Sequence, residues 1–151
     1  MLRIAIALFL TVASCFAAAD EVTARVHSTS EWDPRVLDCI KRQNGGILER
    51  GECQGELIRQ LKREQRTILG QIGKSLSGSG RDLTDYRSAA KGLTVAQANW
   101  EKFVRADCEI IGDVFGQGTD LGPTGDACVV DHYKLRNAQL RLLQRDYLND
   151  R

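Results

Sequence analysis

The chain has 151 residues, 42% hydrophobic and only 6% aromatic, and it carries 21 basic against 20 acidic residues. That length suits one domain and crowds two. A net charge of +1 excludes a globally basic nucleic-acid binder, so a charged partner has to be met by a local cluster.

Met1-Leu2-Arg3 is a short positively charged start, residues 4–12 are apolar, and Ala17-Ala18-Ala19 precedes Asp20. This pattern predicts a secretory signal over residues 1–19, too short for a permanent transmembrane helix. Val12-Ala13-Ser14-Cys15 also resembles a bacterial lipoprotein box, which gives an alternative signal of residues 1–14 with Cys15 acylated. The first option predicts a periplasmic or secreted protein, the second an outer-membrane lipoprotein that meets the membrane only through its acyl group. No other run is apolar enough to span a bilayer, so no transmembrane helix is expected in the mature chain. Loss of residues 1–19 removes Arg3 and leaves 20 basic and 20 acidic residues.

Of the five cysteines, Cys39, Cys53, Cys108 and Cys128 lie beyond this segment. An even number in an exported chain reads as two disulfides, with three pairings open. Cys39 with Cys53 and Cys108 with Cys128 is favoured, because each of these pairs flanks its own glycine-rich turn.

Residues 20–32 are polar and aperiodic and read as a flexible leader, with His27 a solvated side chain. Residues 33–151 read as a single helical domain. Asp33-Pro34 offers an N-cap and a proline at the first helical position, and Val36, Leu37 and Ile40 share one side of the short helix that follows. Asn44-Gly45-Gly46 ends it. The second helix is expected from about Glu52 to about Leu76, where Leu57, Leu61, Ile68, Ile72 and Leu76 form an apolar stripe. Its other face holds Arg59, Lys62, Arg63 and Arg66. With Glu56 and Glu64 interrupting them and no aromatic residues interleaved, these read as a solvated face.

Residues 75–80 break the pattern, and Arg81-Asp82 lead into a third helix whose stripe runs Leu83, Tyr86, Ala90, Leu93, Gln97, Trp100, Val104, Cys108 and Ile111. This alternation of three and four marks an antiparallel bundle seam. Gly92 is expected where two helices approach closely. A glycine-rich loop over residues 112–125 follows. Between Glu109 and Cys128 the only charged residues are Glu109, Asp113, Asp120 and Asp126, all acidic. Thr124 or Asp126 is expected to cap a fourth helix from about Ala127 to Tyr147, with Cys128, Leu135, Ala138, Leu142 and Arg145 in one column and Leu140 and Leu143 beside it. Strand alternation is missing, so the fold class is all-α: a bundle of about four helices with helical hairpins stapled by two disulfides.

Catalytic chemistry finds little support. His27 and His132 are the only histidines, and Asp131 lies about 100° around the helix from its neighbour His132, so it cannot orient it. Cys108, Cys128 and His132 lack the close cysteine pair usual at zinc sites. Gly116-Gln117-Gly118 follows no strand and is no phosphate loop. No catalytic residue, metal or other cofactor is expected.

Gln97-x-x-Trp100, Cys108 eight residues later, Gly116-x-Gly118-Thr119, Cys128, and Arg136 followed by Leu140 resemble the LprI-type lysozyme-inhibitor domain family over the C-terminal two thirds of the chain. The cysteine-bearing hairpin of Cys39 and Cys53 fits the same pattern. Val104 stands where the family usually has arginine, and Tyr133 where it usually has threonine. The resemblance implies an exported helical protein that binds lysozyme and protects the bacterial cell wall. Asp113, Asp120 and Asp126 are then the expected rim of the lysozyme-binding segment, and Phe115, Gln117 and Thr119 its inserted part. The alternative is a structural or adaptor protein of the bacterial envelope, whose partner is another envelope protein.

Overall fold

The computed structural model describes residues 33–77, 85–115 and 121–148. The signal and leader expected over residues 1–32, with Cys15, lie outside the described residues. Four helices make up the described chain: α1 (Pro34–Gln43), α2 (Ile47–Ser75), α3 (Tyr86–Phe115) and α4 (Leu121–Leu143), the last continued by one π-helical turn, Gln144–Leu148. No described residue is in a strand. No helix among the described residues is long and apolar enough to cross a membrane.

Short-range chemistry sets the ends of α1. The Asp33 carboxylate accepts from the Arg35 backbone N–H at 2.9 Å, and Pro34 supplies a first residue that needs no N–H partner. At the other end Asn44 is left-handed at φ 52°, and the Gly45 N–H reaches back to the Ile40 carbonyl. A Cβ on Gly45 would lie 2.3 Å from the Glu49 Cβ, so this turn requires glycine. The tight turn lets α2 begin at Ile47, earlier than the expected Glu52. Glu49 accepts from the Gly46 N–H at 2.8 Å and satisfies one of the free donors of that first turn.

Helix α4 is the hub. It packs along α2 and α3, α1 packs on α2, and α2 and α3 make few contacts with each other. The α2 stripe lies inward as expected, with Leu57, Leu61, Ile68, Ile72 and Leu76 all buried. The α4 column does not. Leu135 and Leu142 are 50% and 46% exposed, and the buried stripe is Ala127, Val130, Tyr133, Asn137 and Leu140. That stripe holds the same spacing of three and four. Of the expected leucines only Leu140, placed beside the column, lies on the true face, because a tyrosine and an asparagine make up two of its five residues. Asn137 belongs inside because its Nδ2 donates to the Leu61 carbonyl of α2 at 3.1 Å. Gly92 likewise departs from expectation, since a Cβ there would meet nothing within 4 Å.

Two core clusters result. One gathers Val36, Leu57, Leu61, Val130 and Tyr133 around the Cys39–Cys53 bridge, and the other gathers Ile68, Ile72, Leu76 and Leu140 at the far end of α2. Cys39–Cys53 ties α1 to α2, and Cys108–Cys128 ties α3 to α4. In the chain-entropy picture each closure stabilises by roughly 3 kcal/mol. A polar strut adds a long-range tie: Asp33, 3% exposed, pairs with Lys134 of α4 at 2.5 Å and with Arg35 at 3.0 Å. Burial alone would raise its pKa, but the hydrogen bonds from Arg35 and Lys134 outweigh it and hold the carboxyl well below the usual carboxylate range.

Candidate docking surface

The segment between the two C-terminal cysteines is far more helical than its glycine content suggests. Helix α3 runs on to Phe115 and α4 already starts at Leu121, so residues 116–120 alone separate them. Pro123 falls in the first turn of α4, where its missing N–H costs nothing. Thr124 and Asp126, expected as caps, are inside that helix. Glycine's helix penalty is only about 1 kcal/mol per residue. The cystine and the packing on α2 exceed it.

This geometry redistributes the expected binding residues. Asp113 is exposed on the last turn of α3, four residues after the exposed Glu109, so both carboxylates lie on one helix face. Phe115 is the last residue of α3. Gln117, Thr119 and Asp120 lie outside the described residues. Asp126 is half-buried in α4, where burial pushes its carboxyl pKa upward, so less of it is open to a partner than of the exposed Asp113.

Beside the acidic pair runs an apolar row. Phe103, Ile110 and Val114 are 54%, 57% and 75% exposed and recur at seven and four residues along α3. Asp107 belongs to the same row, and its carboxylate lies 2.7 Å from the His132 Nε2 of α4. Phe103 meets the His132 ring edge-on at 5.4 Å. The charged partner of His132 therefore comes from another helix. A signal for it was present: Asp107 directly precedes Cys108 and His132 follows Cys128 by four, so the cystine brings them together. Cys108, Cys128 and His132 also place their donor atoms within 4.8 Å of one another. Both sulfurs are joined in the disulfide, which leaves no thiolate to ligate a metal.

Behind this surface the motif residues converge. Gln97 Nε2 donates to Gln65 Oε1 at 2.8 Å, and Arg136 Nε donates to Gln97 Oε1 at 3.3 Å. The Arg136 guanidinium lies 5.9 Å from the Trp100 ring, and Trp100 meets Tyr133 edge-on at 4.9 Å. Desolvation lowers the Arg136 pKa. Three helices are thus cross-braced at one level by Gln65, Gln97, Trp100, Tyr133 and Arg136. Val104 and Tyr133, the two departures from the family pattern, are both buried in this region.

The C-terminal end of α3 thus presents exposed carboxylates and exposed apolar side chains side by side. Comparison with curated proteins and with solved structures gives no match. The family described as lysozyme inhibitor LprI matches residues 39–140, from the first bridged cysteine to the buried leucine of α4. That match spans well over half of the sequence and takes in both disulfides and the whole cross-brace, and the chain therefore belongs to the LprI lysozyme-inhibitor family.

Proposed function

We propose that this protein is an exported, non-catalytic inhibitor that binds lysozyme and protects the bacterial cell wall. The observation that carries the reading is the family match, which includes the cystine holding the C-terminal end of α3 against α4. Glu109 and Asp113 supply negative charge on that end, and Ile110 and Val114 supply exposed apolar area beside it. Lysozymes of the host type are strongly basic, so the carboxylates steer the encounter and fix its orientation, while the apolar side chains hold the complex. Between α3 and α4 the sequence holds the uncharged Gln117 and Thr119. Uncharged side chains suit a glycosidase cleft lined by two carboxylates, where acidic ones would be repelled. Asp120 and Asp126 complete the proposed rim, with Asp126 the weaker member. Export rests on the signal pattern of residues 1–19, with acylation at Cys15 as the alternative.

Titration of the purified protein into a lysozyme turnover assay tests this reading. Inhibition at micromolar protein is expected. It should weaken in a Glu109→Gln, Asp113→Asn double variant and again in Val114→Asp. No inhibition of any lysozyme, together with a co-purifying envelope protein, would replace it with the adaptor reading. Intact-mass measurement of the exported form distinguishes an N-terminal Asp20 from an acylated Cys15.

A further inference from the structure

Because α2 and α3 both lean on α4 and scarcely touch each other, a groove opens between them with α4 as its floor. One part of this groove encloses about 440 Å³. Lys62 and Arg66 line it from α2, and Glu101 and Arg105 line it from α3. Val104, Val129 and Tyr133 make its base, with the Lys62 ammonium 5.5 Å from the centre of the Tyr133 ring. Three cations thus face one carboxylate, and among the described residues none of the three has a carboxylate within ion-pair distance. A second, independent feature lies in the wall. Gln65 is 3% exposed, its Oε1 is taken by Gln97, and its Nε2 has no hydrogen-bond partner among the described residues. A buried amide donor left in this state is costly, and Gln65 itself lines the groove.

We propose that this groove binds a phosphomonoester, with the phosphate held by Lys62, Arg66 and Arg105 and the organic part seated on Val104, Val129 and Tyr133. The charge decides the class. The lining has a surplus of two positive charges, which matches a phosphomonoester at about −1.5 to −2 better than a single carboxylate. Guanidinium groups also present paired donors to phosphate oxygens. A cavity of this volume falls in the usual range for small-ligand sites, and its apolar base favours an ester over the bare ion. The site is separate from the acidic end of α3 and does not depend on lysozyme binding.

Titrating the purified protein with phenyl phosphate, followed by heteronuclear NMR, tests the proposal. A dissociation constant below about 1 mM is expected, with shifts concentrated at Lys62, Arg66, Glu101 and Arg105. Inorganic phosphate should bind more weakly. Arg66→Gln and Arg105→Gln should each weaken phenyl phosphate about tenfold, whereas Glu101→Gln should tighten it. All three residues are exposed, so the fold should survive, and thermal unfolding checks that. Arg63→Gln, on α2 but outside the groove, should change nothing. Co-sedimentation with phosphatidylcholine vesicles, with and without phosphatidic acid, distinguishes the two sources of the group. Retention that needs phosphatidic acid and Arg66 assigns the groove to a lipid headgroup, and binding of phenyl phosphate alone assigns it to a soluble ester. Absence of shifts at millimolar phenyl phosphate would overturn the proposal. So would equal weakening by Arg63→Gln, or a Glu101→Gln variant that binds less tightly.

Discussion

Removing Asp33 should break the polar tie between the start of α1 and α4, and the size of the effect can be worked out from its contacts. The carboxylate caps α1 through the Arg35 N–H, accepts from the Arg35 guanidinium, and pairs with Lys134. Asp33→Ala loses the cap, worth about 1 kcal/mol. It also loses a charge-assisted contact to Lys134, worth about 1.5–3 kcal/mol. Lys134 keeps 29% of its side chain exposed and can partly rehydrate, so the lower part of that range applies. The expected total is about 3 kcal/mol. Asn caps nearly as well as Asp, so Asp33→Asn should cost only the charge part, about 2 kcal/mol. Urea denaturation followed by circular dichroism measures both, and a double-mutant cycle of Asp33→Asn with Lys134→Met should give a coupling of about 1–2 kcal/mol. The pH dependence has a definite sign. The folded carboxyl titrates below its unfolded value of about 3.9, so its contribution is complete above that value and is lost as pH falls further. The stability gap between wild type and Asp33→Asn should stay level from neutrality to about pH 5 and close below about pH 4. A cost under about 1 kcal/mol for Asp33→Ala, or strict additivity in the cycle, would refute the strut.

Replacing Cys108 and Cys128 together with alanine should cost roughly 3 kcal/mol in the same assay, given the 20-residue separation. Weaker lysozyme inhibition in that variant, at temperatures where it remains folded, would show that the bridge also holds the docking end in shape. Gln54 is fully buried and neither side-chain polar atom has a partner among the described residues, so Gln54→Met should raise stability by about 1 kcal/mol. A loss of stability instead would reveal a polar partner, such as an ordered water. The corrected face of α4 can be checked directly: Tyr133→Ala should cost about 3–5 kcal/mol and Leu135→Ala no more than about 0.5 kcal/mol, as read from unfolding midpoints.

Much of the architecture was legible because it depends on neighbours in the chain. Asp33-Pro34 and Asn44-Gly45-Gly46 bound α1 by capping chemistry alone, and the apolar rows of α2 and α3 repeat often enough to show their inward faces. Even the favoured disulfide pairing follows from which cysteines flank a common turn. The glycine-rich segment misled for the opposite reason. Composition there signals a loop, yet helix spreads in from both sides, because a penalty of about 1 kcal/mol per glycine is small beside tertiary packing.

The sequence by itself determined an all-α chain and the approximate places of its helices, favoured one of three cysteine pairings, and carried the resemblance to its family. Only the tertiary structure decided which face of α4 points inward, since a helix that serves two neighbours buries residues its own leucine pattern does not announce. It also decided that Asp107 meets His132, that Asp126 is half-buried while Asp113 is exposed, and that three cations share one groove. Each of these depends on how two helices lie across each other. Periodicity within one helix carries the direction of a side chain about its own axis, but not what stands opposite it.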